Sequence, residues 1–267
     1  MSLRKPLLPL LITLLLVAAF ALSYKLVLKR FLVLEPDQVV ELPEFPQISG
    51  IVYWPEHATL IGVGDGADGL GQISEFTLSG EMIQTQNYAR HDMEDIVLSD
   101  EQGYAFVTDE RNRRLLKVRL SDLSIVEESA ITYPRFPGQG PNRQFEGITK
   151  PKDGPGFVFA NERGPAGLVY FSDLHAPPDW VSVLGAKTVS SVISDEQGNM
   201  LVVSREMGLL LVTADGHPRG QGHPVRGSHM EGVALVPGVG LTICTDQTPG
   251  RLLILSTLDS WEAIRHA

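Results

Sequence analysis

Five related segments follow one another along most of the chain, and this repetition constrains the fold more than any other feature. The second segment, EDIVLSDEQGYAFVTDERNRRLLKV, is similar to the third, FEGITKPKDGPGFVFANERGPAGLVYF. The fourth, SSVISDEQGNMLVVSREMGLLLV, repeats the turn SDEQG of the second. The first and last are SGIVYWPEHATLIGVGDGADGLGQISEF and EGVALVPGVGLTICTDQTPGRLLIL. One position, hereafter the reference column, holds Gly50, Asp95, Gly147, Ser191 and Gly232, at spacings of 45, 52, 44 and 41 residues.

Each unit alternates short apolar strands with turns rich in Gly, Asp and Pro. In the second unit, strands are predicted near 95–98, 104–108, 114–119 and 125–131. No amphipathic helix longer than two turns is visible after residue 35. Units of about 40–50 residues with four strands are typical of β-propellers, in which each blade buries its faces against its neighbours. The sequence therefore predicts an all-β propeller.

The length of the repeat region predicts five blades. Residues 37–267 number 231, which leaves about 46 for each of five blades. The last unit has only 35 residues beyond Gly232, too few for a comfortable fourth strand. The segment 37–45, DQVVELPEF, alternates like an edge strand. We predict that it closes the ring as the outer strand of the last blade, because closure removes an exposed edge. Six blades are the alternative, if one further unit is too degenerate to recognise.

The N-terminal region carries a separate signal. An uncharged, Leu-rich run covers 19 residues between basic flanks, close to the ~20 that a membrane-spanning helix needs. The predicted division is a basic N-terminus at 1–5, a transmembrane anchor at 6–24, a linker at 25–36 and the propeller at 37–267. We expect the anchor in the inner membrane and the propeller in the periplasm. Ala19-Phe20-Ala21 resembles a signal-peptidase site, so secretion after cleavage near Ala21 is the alternative.

Charge and cysteine content exclude several classes of function. Residues 1–34 contain five Lys or Arg and no acid, which leaves 17 basic against 32 acidic residues, a net charge of −15, in the rest of the chain. Such a domain repels nucleic acid and attracts cations. The single cysteine, Cys244, excludes an intramolecular disulfide and a thiolate metal cluster. The expected partners are the membrane, a divalent cation and a protein, without nucleic acid.

Several of these segments together resemble a known family. An apolar N-terminal segment, ISGIVYW, MEDIVLS, FVTDERNRRLLKV, QFEGITK and MEGVAL are similar to the SdiA-regulated family over roughly residues 40–255. The resemblance implies an envelope-facing β-propeller on a single N-terminal anchor, in a family that includes calcium-regulated propeller proteins. A more distant similarity extends to propellers proposed to act as phytases. The family offers no established catalytic residues to transfer to this chain.

The segment HDMEDIVLS at 91–99 places adjacent carboxylates in an apolar run that is predicted to be a strand. Ionised carboxylates rarely lie inside a protein without a partner. The first strand of each propeller blade lines a central channel, so we expect the residues before the reference column to form a ring around water. These residues are Ser49, Glu94, Glu146, Ser190 and Glu231. The sequence thus predicts that the candidate metal ligands are Glu94, Glu146 and Glu231.

A second ring of polar residues is predicted at the end of the second strand of each unit. Fourteen residues after the reference column stand Gly64, Asp109, Asn161, Arg205 and Asp246, followed by Asp65, Glu110, Glu162, Glu206 and Gln247. The candidates for metal binding or ion pairs are Asp109, Glu110, Asn161, Glu162 and Asp246. The next position supplies two candidates for anion binding, Arg111 and Arg163.

Two interpretations of these rings remain open. In the first, Arg111 and Arg163 pair with acids of neighbouring blades and the glutamates cap turn amides. In the second, clustered oxygen ligands at the channel mouth bind a hard cation such as Ca²⁺, which takes six to eight oxygens. Converging carboxylates need a metal or arginines to compensate their charge. The segment 64–69, GDGADG, adds Asp65 and Asp68 as a further candidate loop for calcium.

The sequence favours a membrane-anchored binding or scaffold protein, with Ca²⁺ as its cofactor and a role in a calcium or stress response. The alternative from another class is a Ca²⁺-dependent phosphoesterase, in which the arginines hold phosphate oxygens. No nucleophile motif is visible and no catalytic residue is assigned. Because propellers host binding and catalysis alike, the ligand has to be argued from the site.

Overall fold

The fold is taken from a computed structural model. It describes residues 15, 17, 33–65, 70–132, 144–227 and 229–266. The predicted transmembrane anchor at 6–24, most of the linker at 25–36 and residues 66–69 of the candidate calcium loop lie outside the described residues. Among the residues that are described, no helix is long and apolar enough to cross a membrane.

The described residues between 33 and 266 form 20 strands, which make five four-stranded antiparallel sheets, and one short helix. The first strand is β1 (Gln38–Leu42). Blade 1 contains β2 (Gln47–Trp54), β3 (Thr59–Asp65), β4 (Gly71–Phe76) and β5 (Met82–Tyr88). Blade 2 contains β6 (Met93–Leu98), β7 (Tyr104–Asp109), β8 (Arg114–Arg119) and β9 (Ser124–Ala130).

The remaining blades follow the same order of strands. Blade 3 contains β10 (Phe145–Thr149), β11 (Phe157–Asn161), β12 (Gly167–Phe171) and β13 (Trp180–Val183). Blade 4 contains β14 (Ser191–Ser194), β15 (Met200–Ser204), β16 (Gly208–Val212) and β17 (Pro218–His223). Blade 5 contains β18 (Met230–Val236), β19 (Gly240–Thr245) and β20 (Gly250–Leu255), and α1 (Trp261–His266) follows it.

The ring closes through its first strand. β1 pairs antiparallel with β20, from Gln38 opposite Ile254 to Leu42 opposite Gly250, and so becomes the outer strand of blade 5. The predicted closure by 37–45 and the prediction of five blades are both confirmed. This arrangement joins the two ends of the repeat region, so the last blade does not end on an unpaired β20.

Hydrophobic packing follows the blades. Five buried clusters lie one in each interface between neighbouring sheets. In the interface of blades 2 and 3 the cluster is aromatic, with the rings of Phe145 and Phe159 4.8 Å apart and those of Phe159 and Phe171 5.9 Å apart. Each sheet therefore buries both faces, which explains why single strands such as β11 (FVFAN) are buried at every position.

The repeated turn sequence has a local cause. SDEQG occurs in blades 2 and 4, and its glycines, Gly103 and Gly198, both have φ of +80°. A side chain at positive φ is strained, so glycine is the residue that suits this position. Identical turn chemistry thus joins the first and second strands of two different blades, and this signal is readable without tertiary contacts.

Candidate cation site at the mouth of the propeller

The reference column lies on the axis of the ring. All five positions fall on the innermost strands, β2, β6, β10, β14 and β18, as predicted. A Cβ on Gly50 would lie 2.5 Å from the Cα of Asp95, and one on Gly232 would lie 2.6 Å from the Cα of Gly50. A Cβ on Gly147 would lie 2.7 Å from the Cα of Ser191. Glycine at three of the five positions lets the strands approach this closely.

Asp95 occupies the axis that these glycines leave free. Its Oδ2 accepts hydrogen bonds from Ser191 Oγ at 2.8 Å and from the Ile148 backbone N–H at 3.2 Å, and its Oδ1 accepts one from the Ile96 N–H at 2.9 Å. Burial raises the pKa of Asp95 to about 8, against the opposing effect of these hydrogen bonds. The expectation of a water-filled channel is wrong at this level, because a single side chain ties blades 2, 3 and 4 together across the axis.

A β-bulge lies beside the residues before the reference column, which include Glu94, Glu146 and Glu231. We call the end of the ring axis where these residues lie the mouth. In four of the five inner strands the pairing register shifts just there, between Ile48 and Gly50, Met93 and Ile96, Phe145 and Gly147, and Met230 and Val233. Bulges re-aim side chains next to functional sites. Glu94, Glu146 and Glu231 lie close enough to interact electrostatically, since Glu146 and Glu231 both raise the pKa of Glu94.

Blade 2 concentrates negative charge. Oxygens of Asp92, Glu94 and Glu110, hereafter the blade-2 carboxylates, all lie within 4.8 Å of one another. Asp92 and Glu110 are buried and Glu94 is partly exposed. Burial, then Glu146 and then the other two members of the set raise the pKa of Glu94 well above its usual value. Three anions this close favour either a bound cation or proton uptake.

Asp92 is a member of the site that the predicted rings do not include. It lies three residues before the reference column, where every unit carries a polar residue. These five residues are Gln47, Asp92, Gln144, Thr188 and His229. The backbone at two of these positions contacts the second ring. The Asp92 carbonyl accepts a hydrogen bond from the Glu110 N–H at 2.9 Å, and the Gln144 carbonyl accepts one from the Glu162 N–H at 2.6 Å. A polar column flanking apolar strands was the signal that could have identified it.

Two predicted members of the second ring support turns. Asp109 accepts hydrogen bonds from His91 Nδ1 at 2.6 Å and from Asn112 Nδ2 at 2.8 Å. Asn161 Nδ2 donates to the Arg163 carbonyl at 3.0 Å and to the Pro165 carbonyl at 2.5 Å. The remaining members, Glu110, Glu162 and Asp246, each raise the pKa of a first-ring glutamate, namely Glu94, Glu146 and Glu231 respectively.

Blade 4 contributes a cation to the opposite side of the mouth. Arg205 Nη2 lies 2.5 Å from Glu231 Oε1 and 3.9 Å from Glu146 Oε2, and its Nη1 lies 3.8 Å from Glu162 Oε1. Burial raises the pKa of Glu231 to about 7, although Arg205 opposes the shift. Burial and the neighbouring Glu162 raise the pKa of Glu146 well above its usual value, which Arg205 again opposes.

Arg111 and Arg163 lie at the rim. Arg111 Nε is 3.5 Å from Asp92 Oδ2, and Arg163 Nη2 is 2.8 Å from Glu162 Oε1. These two pairs are each within one blade, whereas Arg205 forms the pairs that bridge blades. The side chains of Arg111 and Arg163 are 50% and 42% exposed, so their guanidinium groups are accessible from solvent.

Other polar atoms of the mouth suit a hard cation. Asp65 Oδ1 is buried without a hydrogen-bond partner among the described residues, and Asp65 raises the pKa of Asp92 electrostatically. Burial in turn raises the pKa of Asp65. The Gln144 backbone N–H donates to Glu110; the buried amide nitrogen of Gln144 has no hydrogen-bond partner in the part of the chain that the structure describes, and as a donor it is not a metal ligand. An all-oxygen set of carboxylates fits Ca²⁺ or Mg²⁺ and does not suit a thiophilic metal.

The fold and this mouth define a class: five-bladed β-propellers with an acidic site at one end of a closed axis. A model of the family described as SdiA-regulated matches residues 37–230. The chain belongs to the SdiA-regulated family.

Solved structures share the fold at low sequence identity. Glutaminyl cyclase from Myxococcus xanthus has a TM-score of 0.61 and 11% identity over 83% of this chain and 97% of that chain. Regucalcin, a calcium-binding protein from Agrobacterium tumefaciens, has a TM-score of 0.51 and 12% identity over 85% of this chain and 97% of its own. A luciferin-regenerating enzyme has a TM-score of 0.52 and 11% identity over 83% and 97%. These similarities establish architecture alone.

Proposed function

We propose that this protein is a calcium-binding propeller of the cell envelope and that it acts as a binding or scaffold protein. The observation that carries the proposal is the set of blade-2 carboxylates, whose oxygens lie within 4.8 Å of one another. Asp92, Glu94 and Glu110 would hold the ion, and Asp65 would add an oxygen from blade 1. A divalent cation would compensate the three negative charges that these oxygens bring within 4.8 Å of one another.

Calcium suits the donor set better than other common metals do. It accepts six to eight oxygens in flexible geometry, whereas Mg²⁺ demands a near-ideal octahedron and retains more of its water. Partly exposed Glu94 leaves room for water or for a ligand oxygen in the coordination shell. Regucalcin, a calcium-binding protein of similar fold, gives support from architecture only.

Calcium is expected to stabilise the folded chain. A ligand that binds only the folded state at 100 times its dissociation constant adds roughly 2.7 kcal/mol to the free energy of unfolding. Asp92→Asn removes one buried charge from the cluster and should abolish most of the calcium-dependent rise in melting temperature. Glu81→Gln, at an exposed turn residue, is the matched control and should retain it. An unchanged melting temperature of the wild type in several millimolar CaCl₂ would eliminate the calcium site.

The membrane anchor completes the proposed function. Residues 6–24 would hold the propeller on the periplasmic side of the inner membrane, where its acidic mouth would meet calcium and a protein partner. Membrane fractionation followed by N-terminal sequencing is expected to recover the uncleaved chain in the membrane fraction. A soluble mature chain that begins at Leu22 would instead establish cleavage after Ala21.

A Ca²⁺-dependent phosphoesterase is the second candidate function. The observation that favours it is the position of Arg111, whose half-exposed guanidinium lies 3.5 Å from a blade-2 carboxylate. A phosphate bound to the cation could also contact Arg111, and Arg163 on the neighbouring blade could contact it from the other side. Calcium-dependent hydrolysis of a generic phosphomonoester that Arg111→Gln abolishes would select this function over simple binding.

A further inference from the structure

A cleft beside blade 5 contains two buried polar atoms without hydrogen-bond partners. It has a volume of about 340 Å³ and lies between the chain at 35–36, the loop at 226–227 and the face of blade 5 that packs on blade 4. Thr245 and Arg251 both line this cleft. Thr245 Oγ1 and Arg251 Nε are buried, and neither makes a hydrogen bond with any residue that the structure describes.

The strand register places these two side chains next to each other. Thr245 of β19 lies directly opposite Arg251 of β20. Residues opposite each other in an antiparallel pair share one face of the sheet, with Cβ atoms about 4.5–5.5 Å apart. The next row on the same face is apolar, with Leu253 opposite Val39 of β1. The cleft therefore combines a pair of adjacent donors with a hydrophobic wall.

The two unpaired atoms indicate what a ligand has to supply. Thr245 is 1% exposed, and a buried polar group without a partner destabilises a folded chain. A hydroxyl can donate and a guanidinium N–H can only donate, so the complementary ligand group is an oxygen acceptor. An ionised oxygen gives the stronger hydrogen bonds. The side chain of Arg251 is 39% exposed, so it can shift to open its Nε–H toward an incoming oxygen.

The charges around the cleft limit the charge of that ligand. Arg226 Nε lies 2.6 Å from Glu35 Oε1, and Arg251 Nη2 lies 3.3 Å from Glu41 Oε1. These two arginines and two glutamates sum to zero charge. A carboxylate adds one negative charge, whereas a phosphate monoester adds about 1.5 to 2 near neutral pH. The balance of charge therefore favours a monoanion.

We propose that this cleft binds a small organic monocarboxylate with an apolar body. The carboxylate accepts hydrogen bonds from the Thr245 hydroxyl and the Arg251 Nε–H. The apolar body lies on Leu253 and on Val39, which is 52% exposed. Ligand pockets typically measure roughly 300–1,000 Å³ and have apolar walls with a few polar groups that fix the orientation. The inference does not rest on the proposed calcium site.

Titration of the full chain with sodium hexanoate tests the class of ligand. Hexanoate should give a calorimetric binding signal. Acetate lacks the apolar body and 1-hexanol lacks the carboxylate, so each should bind at least about tenfold more weakly. Hexyl phosphate should also bind more weakly than hexanoate. Tighter binding of hexyl phosphate would overturn the monocarboxylate class, and no binding of hexanoate at several millimolar would overturn the site.

Thr245→Val separates ligand binding from folding stability. It removes the hydroxyl and keeps the shape of the side chain, so hexanoate affinity should fall at least about tenfold. Because the hydroxyl has no partner in the ligand-free protein, the melting temperature without hexanoate should stay unchanged or rise. Thr245→Ser retains the hydroxyl and should retain binding. A lower ligand-free melting temperature of Thr245→Val would mean that the hydroxyl is already satisfied, which would overturn the inference.

Thr242→Val is the matched control. The Thr242 hydroxyl is also buried in β19 without a partner among the described residues. Its side chain points to the opposite face, because successive residues of a strand alternate. Thr242→Val should therefore leave the melting temperature unchanged or raise it, as Thr245→Val does, but leave hexanoate affinity unchanged. Equal hexanoate affinity of the two valine variants would place the ligand elsewhere.

Arg251→Lys tests the second donor. Lysine keeps the positive charge and has no group equivalent to the Nε–H, so hexanoate affinity should fall at least about tenfold. Arg114→Lys is its control, because Arg114 forms a comparable ion pair with Glu128 on blade 2. Wild-type affinity of Arg251→Lys would overturn the role of this donor. Should Arg251→Lys fail to fold, the Thr245 variants still decide whether hexanoate binds in the cleft.

Discussion

Replacement of Asp95 by alanine is expected to destabilise the propeller by about 2–6 kcal/mol. The substitution leaves the Ile148 N–H and the Ser191 hydroxyl buried without their partner, and each orphaned group costs roughly 1–3 kcal/mol. For a domain of this size the melting temperature should fall by on the order of 10 °C. Asp95 matters this much because one side chain joins three blades at the axis.

Asp195 provides the matched control. It is also a buried aspartate, but its carboxylate accepts from Gln197 N at 2.9 Å and Asn199 N at 2.7 Å within one turn, and its ion pair with Arg265 is long, at 4.0 Å. Asp195→Ala should cost about 1 kcal/mol, as loss of a local cap does. If urea unfolding shows that Asp95→Ala and Asp195→Ala lose the same free energy of unfolding, the axial contacts stabilise the fold no more than a local turn does.

Asp95→Asn tests the protonation state of the axial residue. With a pKa of about 8, Asp95 is mostly neutral at pH 7. An amide of the same size should therefore recover a substantial part of the stability that alanine loses. A loss as large as that of Asp95→Ala at pH 6 would indicate that the buried carboxylate is ionised in the folded protein.

In the absence of calcium, the free energy of unfolding is expected to fall as pH rises above about 4.5. The pKa of Glu231 is about 7 in the folded protein, above its ordinary value of 4.5. Between these values the folded chain holds a proton that the unfolded chain has released, so the free energy of unfolding falls as pH rises from about 4.5 to about 7. The decrease from Glu231 alone is roughly 3 kcal/mol.

Other carboxylates of the mouth and the axis change stability in the same direction. Burial raises the pKa values of Glu94, Glu146 and Asp95 as well. With EGTA present, the melting temperature should therefore be higher at pH 5.5 than at pH 8. Calcium binds the ionised carboxylates, so its stabilising effect should grow as pH rises.

Glu231→Gln is the control for this pH dependence. It removes one titrating group, so its calcium-free melting temperature should change less between pH 5.5 and pH 8 than that of the wild type. A wild-type melting temperature that rises steadily over this range without calcium would contradict the raised pKa values. Such a result would mean that the arginines of the mouth keep the carboxylates ionised.

Much of the fold could be read from local signals. The repeat period, the SDEQG turns and the alternation in 37–45 predicted five blades and the closing strand, and both are confirmed. The strands of blade 2 were placed to within two residues at each end. These features depend on turn chemistry and on which strand faces are apolar, and both can be recognised in short stretches of sequence.

Local sequence signals indicated only part of the site. The repeat brought Glu94, Glu146 and Glu231 to one end of the ring, but it did not reveal that Arg205 compensates the last two. The pairing depends on where the guanidinium of blade 4 points, and its three partners lie 26 to 59 residues away along the chain. Asp92 was missed for a related reason, since only the three-dimensional arrangement shows that its oxygen and those of Glu94 and Glu110 lie within 4.8 Å of one another.

The sequence by itself predicted five blades, the closing strand, the axial positions and the ring of acids, because a tandem repeat places equivalent residues at equivalent places around one axis. Only the tertiary structure decided that Asp95 fills that axis and that Arg205 of blade 4 pairs with Glu146, Glu162 and Glu231 of the neighbouring blades. The physical reason is that side chains from different blades meet across the centre. Their charges and hydrogen bonds balance only there, so no single repeat contains the information.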